Sequence, residues 1–378
     1  MIKLLVSQSD LLKGLNTVAS ALPPRTILPA LTNVLLETDK DQLHLAATDL
    51  DTTITTRIPA TVTTSGSVAL PGRKLHEIVR ELPSGDISIS GTGNRISITC
   101  GSSSFVVAGS ARDSYPELPH ASDAAGTGLP VALLSSAIRR TSYAVAKEDY
   151  RPSLNGALWK LGPEGLEMVA TDGHRLARIH LGEVTSSNRF EAIVAPKALN
   201  LLARLAEEGE ATVRFQGSQI SFEFGPTVIY SRTIEGPYPP YEKVIPKDND
   251  KQLGIVREDL LSALRRMRII ANPATHQVKL AMENGNVMIQ AENTDAGEAR
   301  EKLQADYVGE PLQLGFNGDF LMEILRNMHA ERITLKLKNS ASAVVIENET
   351  PEPGTTYLAL LMPVRLPSPG GPSAGGGV

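Results

Sequence analysis

The sequence has 378 residues, and its 37 lysines and arginines against 42 aspartates and glutamates leave a formal charge of −5. This charge excludes a generally basic protein that coats nucleic acid, and the 41% hydrophobic content excludes a disordered chain. The length predicts two or three domains. The only cysteine, Cys100, cannot form an internal disulfide or a cysteine-based metal site. We therefore expect no metal, no other cofactor and a cytoplasmic location, without an export signal or a membrane-spanning segment.

A short motif occurs three times, each time about a third of the chain further on. Leu45-Ala-Ala-Thr-Asp49 returns as Met168-Val-Ala-Thr-Asp172 and, more weakly, as Ile289-Gln-Ala-Glu-Asn293. Such self-similarity is typical of tandem structural units. It predicts three domains, at residues 1–123, 124–250 and 251–366, and a disordered tail at 367–378, which is rich in glycine, proline and serine.

Each repeat shows two amphipathic helical patterns and several alternating ones. The first helix is predicted, in chain order, from the apolar stripes Leu11, Leu15, Val18, then Leu134, Ile138, then Leu260, Leu264, Met267. The second helix is predicted to begin at Pro71-Gly72, at Pro196 and at Asn317-Gly318. The half-buried strands are predicted from Ile96, Ile98, Cys100, then Ile220, Phe222, Phe224, then Ile333, Leu335, Leu337. The expected fold class is α+β, with three tandem copies of a unit of two helices and antiparallel sheet.

Thr171-Asp172-Gly173-His174-Arg175 raises the question of catalysis, because it places a carboxylate beside an imidazole. A hydrolase using Asp172 and His174 is one alternative, but no nucleophile motif or phosphate-binding loop accompanies them. A zinc helix is also disfavoured, since Arg80 stands where a second histidine should follow His76. Asp49 and Asn293 occupy the equivalent place without a histidine, so we favour a turn closed by side-chain to backbone hydrogen bonds. We predict no catalytic residue.

Basic residues recur on the predicted helices, away from the apolar stripes: Lys13, Arg73, Lys74, Arg80, Arg139, Arg140, Lys197, Arg204, Arg265, Arg266 and Arg326. Any one of them is most simply explained as part of a solvated helix face. Together they indicate weak binding of a polyanion through phosphate contacts, without base recognition.

Six ordered stretches, added to the repeat, resemble one family. They are Pro71-Gly-Arg-Lys74, Leu154-Asn-Gly156, Met168 to Leu176, Tyr238 to Lys247, Gly315-Phe-Asn317 and Met362 to Leu366. Over residues 1–366 the chain resembles the sliding clamp of bacterial DNA polymerase III, its beta subunit. The resemblance implies the DNA clamp fold and a non-catalytic processivity factor, in which two chains close head to tail into a ring of six domains around duplex DNA.

The resemblance also implies a peptide pocket between the second and third domains. Its lining, carried over by matching motifs, is Leu154, Thr171, Gly173, His174, Arg175, Leu176, Pro239, Lys243, Val244, Asn317, Phe320, Met362, Pro363, Val364 and Arg365. Three positions depart from the residues common in the family: Lys243, Phe320 and Thr275. The partners implied are the replicative polymerase alpha subunit, the clamp loader, and other clamp-motif proteins such as repair polymerases, mismatch-repair proteins and ligase, with no membrane partner.

Two further sets of residues follow from the same resemblance. The DNA contacts are expected at Arg25, Arg73, Lys147, Arg151 and Lys197, and the dimer interface at Lys74, Phe105, Ile269 and Ile270. Without the resemblance, the two isoleucines are most simply explained as buried core. A repeat scaffold that binds only protein remains a second alternative.

Overall fold

The computed structural model describes residues 1–92, 94–120, 124–148, 151–283 and 285–366. The predicted disordered tail, 367–378, lies outside the described residues. Within the described part of the chain, none of the helices is long and apolar enough to cross a membrane.

In the described residues, six α-helices lie where the apolar stripes predict them: α1 (Gln8–Val18), α2 (Gly72–Glu81), α3 (Val131–Ser142), α4 (Pro196–Leu205), α5 (Arg257–Ile270) and α6 (Gly318–Arg326). The predicted stripe residues Leu11, Leu15 and Val18 of α1 are fully buried. The predicted helix starts are also confirmed, with Pro196 in the first turn of α4 and the Asn317 side chain accepting from two backbone N–H groups of α6.

The strands run through all three repeats. Those of the first are β1 (Ile2–Ser7), β2 (Asn33–Asp39), β3 (Gln42–Thr48), β4 (Thr52–Pro59), β5 (Thr61–Thr64), β6 (Ser67–Pro71), β7 (Asp86–Thr92), β8 (Arg95–Cys100) and β9 (Ser103–Ala108). Those of the second are β10 (Thr127–Pro130), β11 (Ala157–Gly162), β12 (Gly165–Thr171), β13 (Arg175–Leu181), β14 (Phe190–Val194), β15 (Glu210–Gln216), β16 (Gln219–Phe224) and β17 (Thr227–Ile234). Those of the third are β18 (Lys251–Val256), β19 (Gln277–Glu283), β20 (Asn286–Asn293), β21 (Gly297–Gln304), β22 (Asp306–Val308), β23 (Leu312–Asn317), β24 (Arg332–Leu337), β25 (Val344–Asn348) and β26 (Thr355–Leu361).

The residue contacts group the chain into two compact units. The first comprises Met1–Ser135 and Val194–Ile234. It contains an antiparallel array in the order β6-β2-β3-β4-β17-β16-β15-β10 and a sheet in the order β5-β1-β7-β8-β9. The β4–β17 pair joins the first repeat to the second, and there the Thr56 and Thr227 hydroxyls lie 2.9 Å apart in a buried contact. In this unit α1 packs very closely on β3, because a β-carbon at Gly14 would lie 2.5 Å from Leu45 Cδ1.

The second unit comprises Ser136–Ile193 and the described residues from Glu235 onward. Its antiparallel array has the order β11-β12-β13-β26-β25-β24-β18-β22, and its smaller sheet has the order β21-β20-β19-β23. The β13–β26 pair, from Arg175 opposite Leu361 to Leu181 opposite Thr355, joins the second repeat to the third. The α+β expectation is thus confirmed, while the three domain boundaries stay a prediction.

One prediction about the helix surfaces is wrong. Arg140 was expected on a solvated helix face with the other basic residues, but it is only 4% exposed. Its Nη2 donates to both Glu352 carboxylate oxygens, at 2.7 and 2.9 Å, and its guanidinium lies 5.4 Å from the centre of the Tyr357 ring. A buried arginine requires this pairing, because an isolated charge away from water costs several kcal/mol.

Candidate functional site

The motif that defines the repeat forms the same turn three times. Asp49 Oδ1 accepts from the Asp51 and Thr52 N–H groups at 3.1 and 2.7 Å. Asp172 Oδ1 accepts from the His174 and Arg175 N–H groups, both at 2.9 Å, and Asn293 Oδ1 accepts from Asp295 N–H at 3.1 Å. The side-chain closed turn expected from the sequence is therefore present in every repeat.

In the second repeat, this turn holds a buried arginine. Arg175 is 4% exposed, and its Nε donates to Asp172 Oδ2 at 3.0 Å while its Nη2 donates to the Tyr143 carbonyl at 2.7 Å. Its Nη1 pairs with Glu323 of α6. The guanidinium also lies 4.2 Å from the centre of the Phe320 ring and 5.4 Å from that of Tyr143. Arg175 thus connects the turn, the end of α3 and the start of α6, all within the second unit.

A pair of tyrosine hydroxyls lies close to this arginine. Tyr143 Oη and Tyr357 Oη are 3.1 Å apart, and Tyr357 Oη donates to the Arg140 carbonyl at 3.1 Å. Burial raises the pKa of both tyrosines above the ordinary value. Both hydroxyls therefore stay neutral and serve as hydrogen-bonding groups.

The last described residues are held by backbone hydrogen bonds to two elements of the second unit. Met362 N–H donates to the His174 carbonyl at 2.8 Å, and Val364 N–H donates to the Gly315 carbonyl of β23 at 2.9 Å. Gln277 Nε2 donates to the Arg365 carbonyl at 3.0 Å. This arrangement leaves Met362 and Val364 exposed by 38% and 36%, although the chain around them is fixed.

The residues that the resemblance assigns to the peptide pocket all belong to the second unit. Leu154, Arg175 and Leu176 are buried, whereas Thr171, Asn317, Phe320 and Pro363 are half-buried. The exposed ones are Gly173, His174, Pro239, Lys243, Val244, Met362, Val364 and Arg365. Several of them are in contact or connected by hydrogen bonds, namely the stacked His174 and Phe320 rings, the Arg175–Phe320 pair and the Met362–His174 hydrogen bond. The segment before Lys243 is tied to β12 by a hydrogen bond from Tyr238 Oη to the Val169 carbonyl, at 3.4 Å.

Two neighbours of the predicted pocket had no signal in the sequence. Tyr143 and Glu323 hold Arg175 in place, but neither lies in a motif. Arg151, assigned by resemblance to DNA, lies next to the Asp172–His174 turn, since a β-carbon at Gly173 would be 3.4 Å from Arg151 Nη1. The exposed end of the pocket turn therefore has a guanidinium beside it.

The remaining residues assigned to DNA differ in how much of their charge is available. Arg25, Arg73, Lys147 and Arg151 are exposed. Lys197 is half-buried, forms an ion pair with Asp49 and also donates to the Ala21 carbonyl at 3.1 Å. Its charge is therefore largely compensated within the first unit.

The residues assigned to a dimer interface lie at surfaces. Phe105 of β9 is 40% exposed and Ile269 of α5 is 80% exposed, Lys74 is exposed and Ile270 is half-buried. The alternative that both isoleucines are buried core is wrong for Ile269. Strand β9 is an edge of its five-stranded sheet, and β21 is an edge of its four-stranded sheet.

Three repeats of two helices with antiparallel strands, joined through paired strands, define the class of DNA clamp folds. The family models of the DNA polymerase III beta subunit match in the same order, the N-terminal domain at residues 2–119, the central domain at 128–240 and the C-terminal domain at 242–365. The chain belongs to this family, the beta sliding clamps.

Named relatives and solved structures agree with this assignment. The beta sliding clamp of Chlamydia muridarum is 31% identical over 96% of this chain and 99% of its own length, and that of Synechococcus elongatus is 32% identical over 97% and 100%. The crystal structure of the Pseudomonas aeruginosa DNA polymerase III subunit beta has a TM-score of 0.90 at 31% identity, covering 96% of this chain and 100% of that one. A structure of the clamp from that organism bound to griselimycin has a TM-score of 0.89 at 31% identity, covering 97% and 100%.

Proposed function

We propose that the chain is a processivity factor in the form of a homodimeric ring, which encircles duplex DNA without sequence preference and tethers the replicative DNA polymerase. In this proposal the three domains occupy residues 1–123, 124–250 and 251–366, and the protein works in the bacterial cytoplasm, where chromosomes are replicated.

The main support for a ring is that the two joints between repeats are built in the same way. The strand that follows the repeated turn is β4 in the first repeat, β13 in the second and β21 in the third. The first two each pair with the last strand of the following repeat, β4 with β17 and β13 with β26. By the same rule, β21 should pair with β9, the last strand of a first repeat.

Both strands required for this third joint have an open edge among the described residues. An open strand edge is a template for pairing with another chain, and head-to-tail pairing that closes on itself generates a ring. We therefore infer that β21 of one chain pairs with β9 of a second, with Ile269 and Ile270 packing near Phe105 and Lys74. The exposed Ile269 and Phe105 supply apolar area for such a contact.

DNA is proposed to be held by exposed basic residues on both units, namely Arg25, Arg73, Lys147 and Arg151, with a smaller contribution from the compensated Lys197. Such contacts attract phosphates without reading bases. The closed ring then keeps the protein on DNA although the contacts are weak.

The peptide pocket is proposed at the exposed surface around His174, Val244, Met362 and Val364. An apolar surface with polar residues at its edge suits a short peptide with apolar anchors. The partners proposed are the polymerase alpha subunit, the clamp loader, repair polymerases, mismatch-repair proteins and ligase.

The hydrolase alternative is disfavoured by the geometry of Asp172. Its two oxygens accept from the turn N–H groups and from Arg175 Nε, so the carboxylate already has its partners and does not orient the His174 ring. That ring stacks with Phe320 instead. We infer that the protein catalyses no reaction itself.

One experiment tests encirclement, and a second tests tethering. Protein loaded on closed circular DNA should remain bound and should be lost when the circle is cut, whereas a scaffold that binds only protein should be indifferent to the cut. A chain ending at Leu361 should still dimerise and encircle DNA but should lose partner peptides, with a chain ending at Leu366 as the matched control. Full peptide affinity of the Leu361 chain in calorimetry contradicts the proposed pocket.

A further inference from the structure

The segment before β2 in the first unit ends in two exposed apolar side chains. Ile27 is 96% exposed and Leu28 is 48% exposed. Thr26 Oγ1 accepts from the Leu28 N–H group at 3.1 Å, which closes a local turn at this point. Single apolar residues on a surface are ordinary. Ile27 and Leu28 differ from such ordinary residues because basic side chains lie around them.

Three basic side chains from α2 and α4 bind the segment that leads to this apolar tip. Arg73 Nη2 donates to the Pro24 carbonyl at 3.2 Å, Arg204 Nη2 donates to Ser20 Oγ at 2.6 Å, and Lys197 Nζ donates to the Ala21 carbonyl at 3.1 Å. A hydrogen bond to a neutral oxygen does not cancel the charge of its donor. Among these three, Lys197 is the one that also forms an ion pair with a carboxylate in the described structure, that of Asp49.

The surroundings of the tip are therefore cationic. Arg25 is exposed two residues before Ile27, and a groove of about 470 Å³ lies between the Leu22–Thr26 segment and Gly72–Lys74 at the start of α2. A surface that combines an apolar tip with uncompensated cations is complementary to a ligand that has both phosphates and apolar faces. Duplex DNA has both, since deoxyribose rings and base edges lie between its phosphates in the minor groove.

We propose that Ile27 and Leu28 are an apolar contact to duplex DNA, packing against the sugars of the minor groove while Arg25 and Arg73 bind the adjacent phosphates. This inference rests on the proposed function and adds a non-ionic component to it. Sugars are the same at every base pair, so the contact carries no sequence information and is compatible with sliding.

The test separates apolar from ionic contributions by their salt dependence. Binding of the full chain to a short duplex is measured by fluorescence anisotropy at several salt concentrations, on two unrelated sequences. Ile27→Ser should weaken binding roughly fivefold to tenfold at every salt concentration, because an isoleucine side chain loses its burial. The slope of log affinity against log salt should not change, since an apolar contact releases no counterions.

Two matched variants complete the experiment. Arg25→Gln should lower the salt slope by up to about 0.9. Val308→Ser removes an apolar side chain that is 70% exposed in β22 of the second unit, and it should leave DNA binding unchanged. Because Ile27 and Val308 are both exposed, neither change should alter unfolding.

Several results overturn the inference. Unchanged DNA affinity of the Ile27→Ser variant does so, as does a change in its salt slope, or loss of a partner protein with DNA binding intact. If wild-type protein is not retained on closed circular DNA, the proposed function itself fails. If it is retained and Ile27→Ser equals wild type, only the apolar contact is wrong.

Discussion

Arg175→Gln removes a guanidinium that binds two carboxylates and a backbone carbonyl. The variant leaves Asp172, whose side chain is 15% exposed, without its Nε partner, and Glu323 without its Nη1 partner. Breaking a buried pair costs about 3–5 kcal/mol. Glu323 is 40% exposed and regains water, so we expect the free energy of unfolding to fall by about 3 kcal/mol.

The assay uses the only tryptophan of the sequence. Trp159 is fully buried in β11, in the same unit as Arg175, so its fluorescence during urea unfolding reports on the unit that the substitution affects. Arg265→Gln is the matched control, because Arg265 is 53% exposed and its ion pair with Glu258 is long, at 3.4 Å. The control should cost less than about 0.5 kcal/mol.

If Arg175→Gln lowers the free energy of unfolding by less than about 0.5 kcal/mol, the reasoning is refuted, because the two carboxylates then do not need the guanidinium. A changed dependence on urea concentration indicates altered compactness or an intermediate, and the midpoints are then not compared directly. Arg175→Lys separates charge from geometry, since lysine keeps the charge without the planar fork. It should recover only part of the loss.

Three further predictions concern assembly, DNA and pH. Ile269→Asp places a charge in the proposed joint and should give a species of single-chain mass in light scattering, whereas a species of twice that mass argues against the interface. Replacing Arg25 and Arg73 together with glutamine should lower the salt slope of DNA binding by up to about 1.8, or 0.9 for each contact. Lys197→Gln should change the slope much less, because Asp49 already compensates its charge; an equal change contradicts this assignment. Partial desolvation, with a smaller contribution from Arg140, lowers the pKa of His329 although the residue is exposed, so the unfolded chain binds a proton somewhat more readily than the folded chain does. Stability should therefore fall as pH drops below about 6.5, and His329→Gln should reduce that fall in urea midpoints measured across this range.

The helices and strands were predictable because each has one buried face. Ile333, Leu335 and Leu337 alternate in the sequence and are all fully buried in β24, and period two has no other simple explanation. Leu134 and Ile138 form a weaker pattern, yet both are buried in α3. The family, too, was identified correctly from its motifs.

What the sequence could not predict are pairings between residues far apart in the chain. Arg140 and its exposed neighbour Arg139 both lie off the apolar stripe of α3, and the tertiary partner Glu352 explains why Arg140 is buried. The compensation of Lys197 by Asp49 has the same origin. Local patterns contain no information on such partners, so the predicted DNA contacts could not be ranked by available charge.

The joint between β4 and β17 has a consequence for the protein as it leaves the ribosome. Thr56 and Thr227, which meet there, are 171 residues apart, and the first unit takes its last strands from Val194–Ile234. Strand β4 therefore lacks its partner β17 while more than a third of the polypeptide is translated. During that time its outer edge is open to other nascent chains. Its exposed side chains, Arg57 and Pro59, are of the kinds that discourage such pairing.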